Sequence, residues 1–159
     1  MITALRHAVA CDHAQYSQTG QLTFIGVAGD SIVVDVVPTA RQLWLGLSVD
    51  LDETESAVTI RVEAPGLDQS MTITIPPGPT NTGLMFPVTV PAGDRGQFRV
   101  SITNLGGDER QFTQQWRLDA SEGAEILAAD EAEFVVAAAS AATAAVFAQI
   151  ATRQATAKH

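Results

Sequence analysis

The chain has 159 residues and a formal net charge of −9, from 18 acidic side chains against 9 Lys and Arg. That length suits one domain, with or without an appendage, and is enough to bury a core without covalent staples. The single cysteine, Cys11, excludes an intramolecular disulfide. The acid excess argues against a phosphate-tracking surface, because counterion release needs clustered cations, and the only lysine is Lys158, so a polybasic membrane patch is absent too.

Taken in order, Leu5 to Asp30 reads as a hairpin: two apolar runs flank Ser17-Gln18-Thr19-Gly20, and Gly20 takes positive φ at no steric cost. Ser31 to Val37 is a β-branched run stopped by Pro38, which predicts an edge strand. Leu43, Leu45, Leu47, Val49 and Leu51 then alternate with Trp44, Gly46, Ser48 and Asp50, which puts the aliphatics on one face of a strand. After the polar stretch Asp52 to Ser56, Val58, Ile60 and Val62 repeat the rhythm up to Pro65-Gly66, so these two strands are expected to form a second hairpin.

Met71, Ile73 and Ile75 alternate as far as Pro76-Pro77-Gly78-Pro79, and Leu84, Phe86, Val88 and Val90 as far as Pro91-Ala92-Gly93-Asp94. Phe98, Val100 and Ile102 follow, then the turn Leu105-Gly106-Gly107-Asp108, then Phe112, Trp116 and Leu118. Strict alternation means that each strand has one buried and one wet face. The expected fold is therefore mainly β, an antiparallel β-sandwich of about eight or nine strands. No strand-helix-strand rhythm appears, which disfavours a parallel-sheet enzyme.

The pattern changes at Asp119. From Ala120 alanine dominates, proline is absent and the last glycine is Gly123, which predicts one long helix from Ala124 to Thr156. Acids come early (Glu122, Glu125, Asp130, Glu131, Glu133) and cations late (Arg153, Lys158), as the helix dipole favours. The expected organisation is a β-sandwich domain, 1–119, with a C-terminal helical extension, 120–159.

Few residues invite chemistry. Cys11-Asp12-His13 joins three reactive types, but on a strand Asp12 points away from the face shared by His7, Cys11 and His13. The Asp cannot orient that His, and a zinc site would need a fourth, better-spaced donor. Asp50, Asp52, Glu53 and Glu55 form an acidic cluster without the glycine and terminal glutamate of an EF-hand loop. Asp94-Arg95-Gly96 is not in adhesive-tripeptide order and reads as a turn. No catalytic residue, cofactor or metal is therefore expected.

Two features point instead to protein contacts. Trp44 lies opposite the Leu43 to Leu51 face and is a candidate exposed anchor, whereas Trp116 shares the register of Phe112 and Leu118 and belongs to the core. Residues 134–152 carry no charge, a length near that of a bilayer span, but half of residues 134–151 are alanine, which contributes little to insertion. The preferred reading is a helix apolar nearly all round and buried against protein. Phe134, Ala138, Ala141, Ala145 and Ala148 form a small-residue stripe, with Val135, Val146 and Ile150 beside it, for packing against copies of itself or a neighbouring subunit.

The opening, with Cys11, Asp12, Gly20, Leu22, Ile25, Gly26 and Asp30 at matching positions, resembles a family of uncharacterised bacterial and phage-encoded proteins. Their pattern is a strand ending in Cys-Asp, a polar loop with Gly, and a strand ending in Ile-Gly-x-x-x-Asp. The likeness covers the first third, extends weakly through Gly96 to Val100 and omits the Ala-rich helix. It implies a compact sandwich, often in phage or prophage settings, with no activity to transfer.

The expected function is a non-enzymatic structural or assembly protein, such as a phage capsid or tail accessory subunit, attached or oligomerised through its C-terminal helix. Its partners would be protein, a homo-oligomer or larger particle, with no nucleic acid and no membrane. With no signal-type segment ahead of Asp12, it would sit in the virion or bacterial cytoplasm. The alternative is a cytoplasmic module binding a small ligand or saccharide, with a pocket at Trp44 or at the Pro76 to Pro79 loop.

Overall fold

In chain order the elements are β1 (Ile2–Tyr16), β2 (Leu22–Val27), β3 (Ser31–Val37), β4 (Thr39–Leu51), β5 (Ser56–Ala64), β6 (Leu67–Ile75), β7 (Asn81–Ala92), β8 (Gln97–Asn104), β9 (Gln111–Ile126) and α1 (Ala129–Ala157). The structure is a computed structural model and describes residues 1–19, 21–78, 80–93, 95–106 and 110–157, leaving aside the side chains of Tyr16 and Leu22. Gly20, Pro79, Asp94, Gly107, Asp108 and Lys158, which the sequence places in turns or at the helix end, lie outside the described residues.

The strands form two sheets, ordered β2-β1-β4-β7 and β3-β9-β8-β5-β6. Alternation explains the core between them. Leu43, Leu45, Leu47 and Val49 on β4, Val58, Ile60 and Val62 on β5, and Phe98, Val100 and Ile102 on β8 are all buried. Trp116 is buried too, its ring stacked on Phe98 with centroids 5.5 Å apart. A polar clasp ties the sheets at one end: the Ile2 N–H donates to Asn104 Oδ1 (3.0 Å) and Asn104 Nδ2 donates to the Ile2 carbonyl (2.9 Å), with both residues buried.

Three expectations need correction. β4 and β5 do not pair: β4 lies between β1 and β7, and β5 between β6 and β8, so the polar link Asp52 to Glu55 crosses from one sheet to the other. Alternation reports which face is buried, not which strand lies alongside. The sheets are not wholly antiparallel either, since β3 runs parallel to β9. Finally, β9 continues to Ile126, so a domain boundary after residue 119 falls inside a strand and the helix begins at Ala129. Val34 faces Ala120 while Val36 faces Glu125, so residues 121–124 bulge outward, with Gly123 at φ 76°. On either side of the bulge the β3 ladder pairs Arg117 to Ala120, Glu125 and Ile126 in competition with the helix, and the Leu127 N–H still donates to the Val37 carbonyl (2.9 Å).

The expected shelter for the helix also differs. α1 docks on its own sandwich, along β6 and β7, the last strands of the two sheets. No residue from Gln69 to Gly93 and none from Phe134 to Thr152 is charged, so the two surfaces meet without desolvating an ion. Ala139, Thr143 and Phe147 form the buried stripe, with Phe147 edge-on to Phe86 at 5.7 Å between centroids. Gly66 leaves the room that Val136 fills, because a Cβ there would collide with the valine Cγ1.

Polar side chains complete the seal. The Thr89 N–H donates to Thr143 Oγ1 and the Thr143 hydroxyl donates to the Thr89 carbonyl, both at 2.9 Å. Gln154 does the same for Thr74, accepting from its N–H (2.9 Å) and donating to its carbonyl (3.4 Å). Gln69 Nε2 donates to Ser140 Oγ (3.2 Å).

Thr143→Val keeps the shape but leaves the Thr89 N–H and carbonyl without that partner at a buried contact. It should destabilise the protein by about 1–3 kcal/mol in urea unfolding. Thr152→Val, which removes only an exposed bond to the Ala148 carbonyl, should change little.

Candidate functional site

Cys11 is wholly buried, with Sγ 3.3 Å from the His13 carbonyl and 3.6 Å from the Trp44 carbonyl. Burial pushes its thiol pKa up, against the lowering effect of backbone hydrogen bonds, so no thiolate is stabilised there. Asp12 accepts from Arg41 Nη2 at 2.6 Å, on the rim of the sandwich, while His7 and His13 are exposed. The three adjoining residues thus enter three separate environments.

The acidic cluster is dispersed in the same way. Asp50 accepts from Arg6 Nε (2.5 Å) and Asn81 Nδ2 (3.1 Å), and these donors, Asn81 foremost, hold its carboxyl below the ordinary range. Asp52 accepts from the Met1 ammonium, the Thr54 hydroxyl and the Thr54 N–H, which together lower it to about 2. Glu53 and Glu55 are exposed. Among the described residues no group of three or more His, Cys, Asp or Glu is arranged to hold a metal ion.

The interface residues read from the sequence separate into two sets. Val146 and Ile150 pack partly buried against the protein's own core. Phe134, Ala138, Ala141, Ala145 and Ala148 face outward, with Phe134 74% exposed. Trp44 is only partly exposed, because it sits in register between Cys11 of β1 and Pro87 of β7. Sequence reasoning missed the inward stripe of Ala139, Thr143 and Phe147, whose signal was the four-residue spacing of a polar and an aromatic residue within the alanines.

By length and composition α1 could cross a membrane, with 29 residues and a mean hydropathy of 1.9 over its most apolar window, of which 17% is buried. Here it is held along its length by the Val136, Thr143 and Gln154 contacts. Its outward face is uncharged from Phe134 to Thr152. At its near end Ile126 is 79% exposed.

Concave features are shallow. A recess of about 530 Å³ opens at the β5-β6 turn, lined by Glu63, Leu67, Asp68, Gln97 and Arg99 among others. Its charges satisfy one another: Arg61 Nε and Nη2 donate to the two Asp68 oxygens at 2.8 and 2.7 Å, and Arg99 Nη2 lies 3.3 Å from Glu63. A second recess, about 350 Å³, joins Pro76 and Glu55 to Thr74 and the helix end at Gln154 and Ala157. A third, about 260 Å³, lies beside Phe24, His7, Gly46 and Asn81. Trp44 lines none of these three.

Two measurements follow from these environments. Cys11 in the folded protein should react with iodoacetamide far more slowly than after urea unfolding, when its burial is lost. The Asp68 carboxyl, held below its ordinary 3.8 by the Arg61 donors, should contribute stability that is present above that value and is lost as pH falls through the lowered one. The urea midpoints of the parent and Asp68→Asn should therefore differ slightly near about pH 6 and draw together as pH falls below the ordinary 3.8. Compared with known family models and curated proteins, the chain matches none.

Proposed function

We propose that this protein is a non-enzymatic structural subunit of a larger protein assembly, joined to a second copy through the outward face of its C-terminal helix. The observation that carries the reading is the helix face itself. α1 uses one stripe to dock on its own sandwich and leaves Phe134, Ala138, Ala141, Ala145 and Ala148 exposed.

Physical arguments support a copy of the same chain as the partner. Each copy carries −9, so two copies approach at least electrostatic cost where neither surface bears charge, as along residues 134–152. The alanines keep the helix surface low, so another helix backbone can come close, and Phe134 supplies an aromatic anchor at one end. A two-fold arrangement lets the same face serve both partners. The setting proposed is a phage or prophage particle, as a capsid or tail accessory subunit, or the bacterial cytoplasm in which such a particle is built. It rests on the resemblance of the Cys11 to Asp30 hairpin. No nucleic acid or membrane contact is part of this reading.

A second reading, a small-ligand or saccharide module, is favoured by the recess where Pro76 meets the helix end. A ligand bound there would raise the thermal midpoint without altering subunit count.

Sedimentation separates the two readings. Ala141→Glu with Ala145→Glu keeps helix propensity and buries nothing new, since both positions are exposed. The parent should sediment as an oligomer, and the double variant should lose the helix-mediated contact at the same concentration. A parent chain that is monomeric at about 100 μM, or a double variant of unchanged mass, would overturn the assembly reading.

A further inference from the structure

The two sides of the sandwich are treated differently. On one side α1 covers β6 and β7, and Gln154 and Thr143 occupy backbone groups of Thr74 and Thr89. On the other, β2 and β3 end the two sheets, and among the described residues β9 is the only strand paired with β3. From this we propose that two copies of the chain join through their β3 strands, antiparallel about Val33, so that their β3-containing sheets become one continuous sheet.

The backbone supplies the first part of the argument. The Asp30 carbonyl accepts from the Arg117 N–H of β9 at 2.9 Å. Because successive residues of a strand turn their N–H and C=O to opposite edges, Ile32 and Val34 also face β9. Ser31 and Val33 therefore aim theirs outward, where among the described residues no strand lies. The side chains agree: Ile32 and Val34 are buried at 4% and 3%, whereas Val33 is 52% exposed and Asp35 is exposed.

Edge strands that stay single are guarded by charged side chains, Pro, a bulge or a cover. In β3 the one charge is Asp35, beside the ladder irregularity between Val34 and Val36, while Ser31 to Val34 carries no charge and Pro38 lies beyond the strand's end.

The register selects the occupant. In an antiparallel pair centred on Val33, each Val33 meets its counterpart, and Ser31 of each copy lies opposite Asp35 of the other. The Ser31 hydroxyl can then donate to a carboxylate that already accepts the Ser121 hydroxyl at 2.6 Å through Oδ1. The two Asp35 side chains fall four residues apart along the ladder, roughly 13 Å, beyond the screening length at physiological salt. A strand of unrelated sequence offers no such reciprocal pairing, so a second copy is the fitting partner. A two-fold contact of this kind closes on itself and uses up the β3 edge of both copies.

This contact is separate from the helix face, and the test separates them. In the full chain, Val33→Cys places two thiols at a pair spacing of about 5.5 Å, within disulfide reach, while Cys11 is buried. Mild oxidation with copper-phenanthroline should give a covalent dimer on a non-reducing gel at least about tenfold faster than for Thr113→Cys, elsewhere on the same sheet. Val33→Lys should lower the parent's sedimenting mass by removing the β3 contact.

Equal cross-linking of the two cysteine variants, or an unchanged mass for Val33→Lys, would overturn the proposal. If Ala141→Glu with Ala145→Glu lowers the mass and Val33→Lys does not, the helix contact stands and this one falls. The reverse result keeps β3 and removes the helix contact.

Discussion

The structure depends on one repair. A two-sheet sandwich leaves backbone donors and acceptors stranded at its sides, and here a helix supplies the missing partners on one side. Thr143 and Gln154 each present a donor and an acceptor to a single strand residue, Thr89 and Thr74, as a neighbouring strand would. Asn104 uses the same device on Ile2 at the end of the sandwich. Net gains from such bonds are modest, but leaving the same groups buried and unpaired is costly, so these contacts locate the helix more than its apolar area does.

That repair governs what the protein can do. One side of the sandwich is sealed, and the other ends in β2 and β3, on which the helix does not dock. The helix that makes the seal keeps a charge-free outward face. Several charged groups elsewhere pair with one another: Asp12 with Arg41, Asp50 with Arg6 and Asn81, Asp68 with Arg61. An alanine helix face and a β-branched edge are thus among the surfaces left exposed.

Reading the helix from sequence shows where composition misleads. An uncharged run of residues 134–152 suggested burial on nearly every side, yet Ala138, Ala141, Ala145 and Ala148 are exposed. A methyl group exposes little area, so exposed alanine in a helix costs little. Thr143 and Gln154 looked like interruptions in an apolar segment, and they are the residues that attach it. Cys11, judged a small core residue, is wholly buried, and Trp116 is core as its register implied.

The alternation of Leu43 to Leu51, of Val58 to Val62 and of Phe98 to Ile102 determined by itself that these stretches are strands and which face of each is inside. Side-chain period is a local property, and burying one face is the only way to use it. Which strands become neighbours was decided by the tertiary structure: β4 left β5 for β1 and β7, and β3 ran parallel to β9. It also carried β9 through Gly123 to Ile126, against the helical preference of its alanines and glutamates. Partner choice and strand ends depend on backbone groups far apart in the chain finding one another. No local pattern records that pairing, because every residue but proline carries the same N–H and C=O.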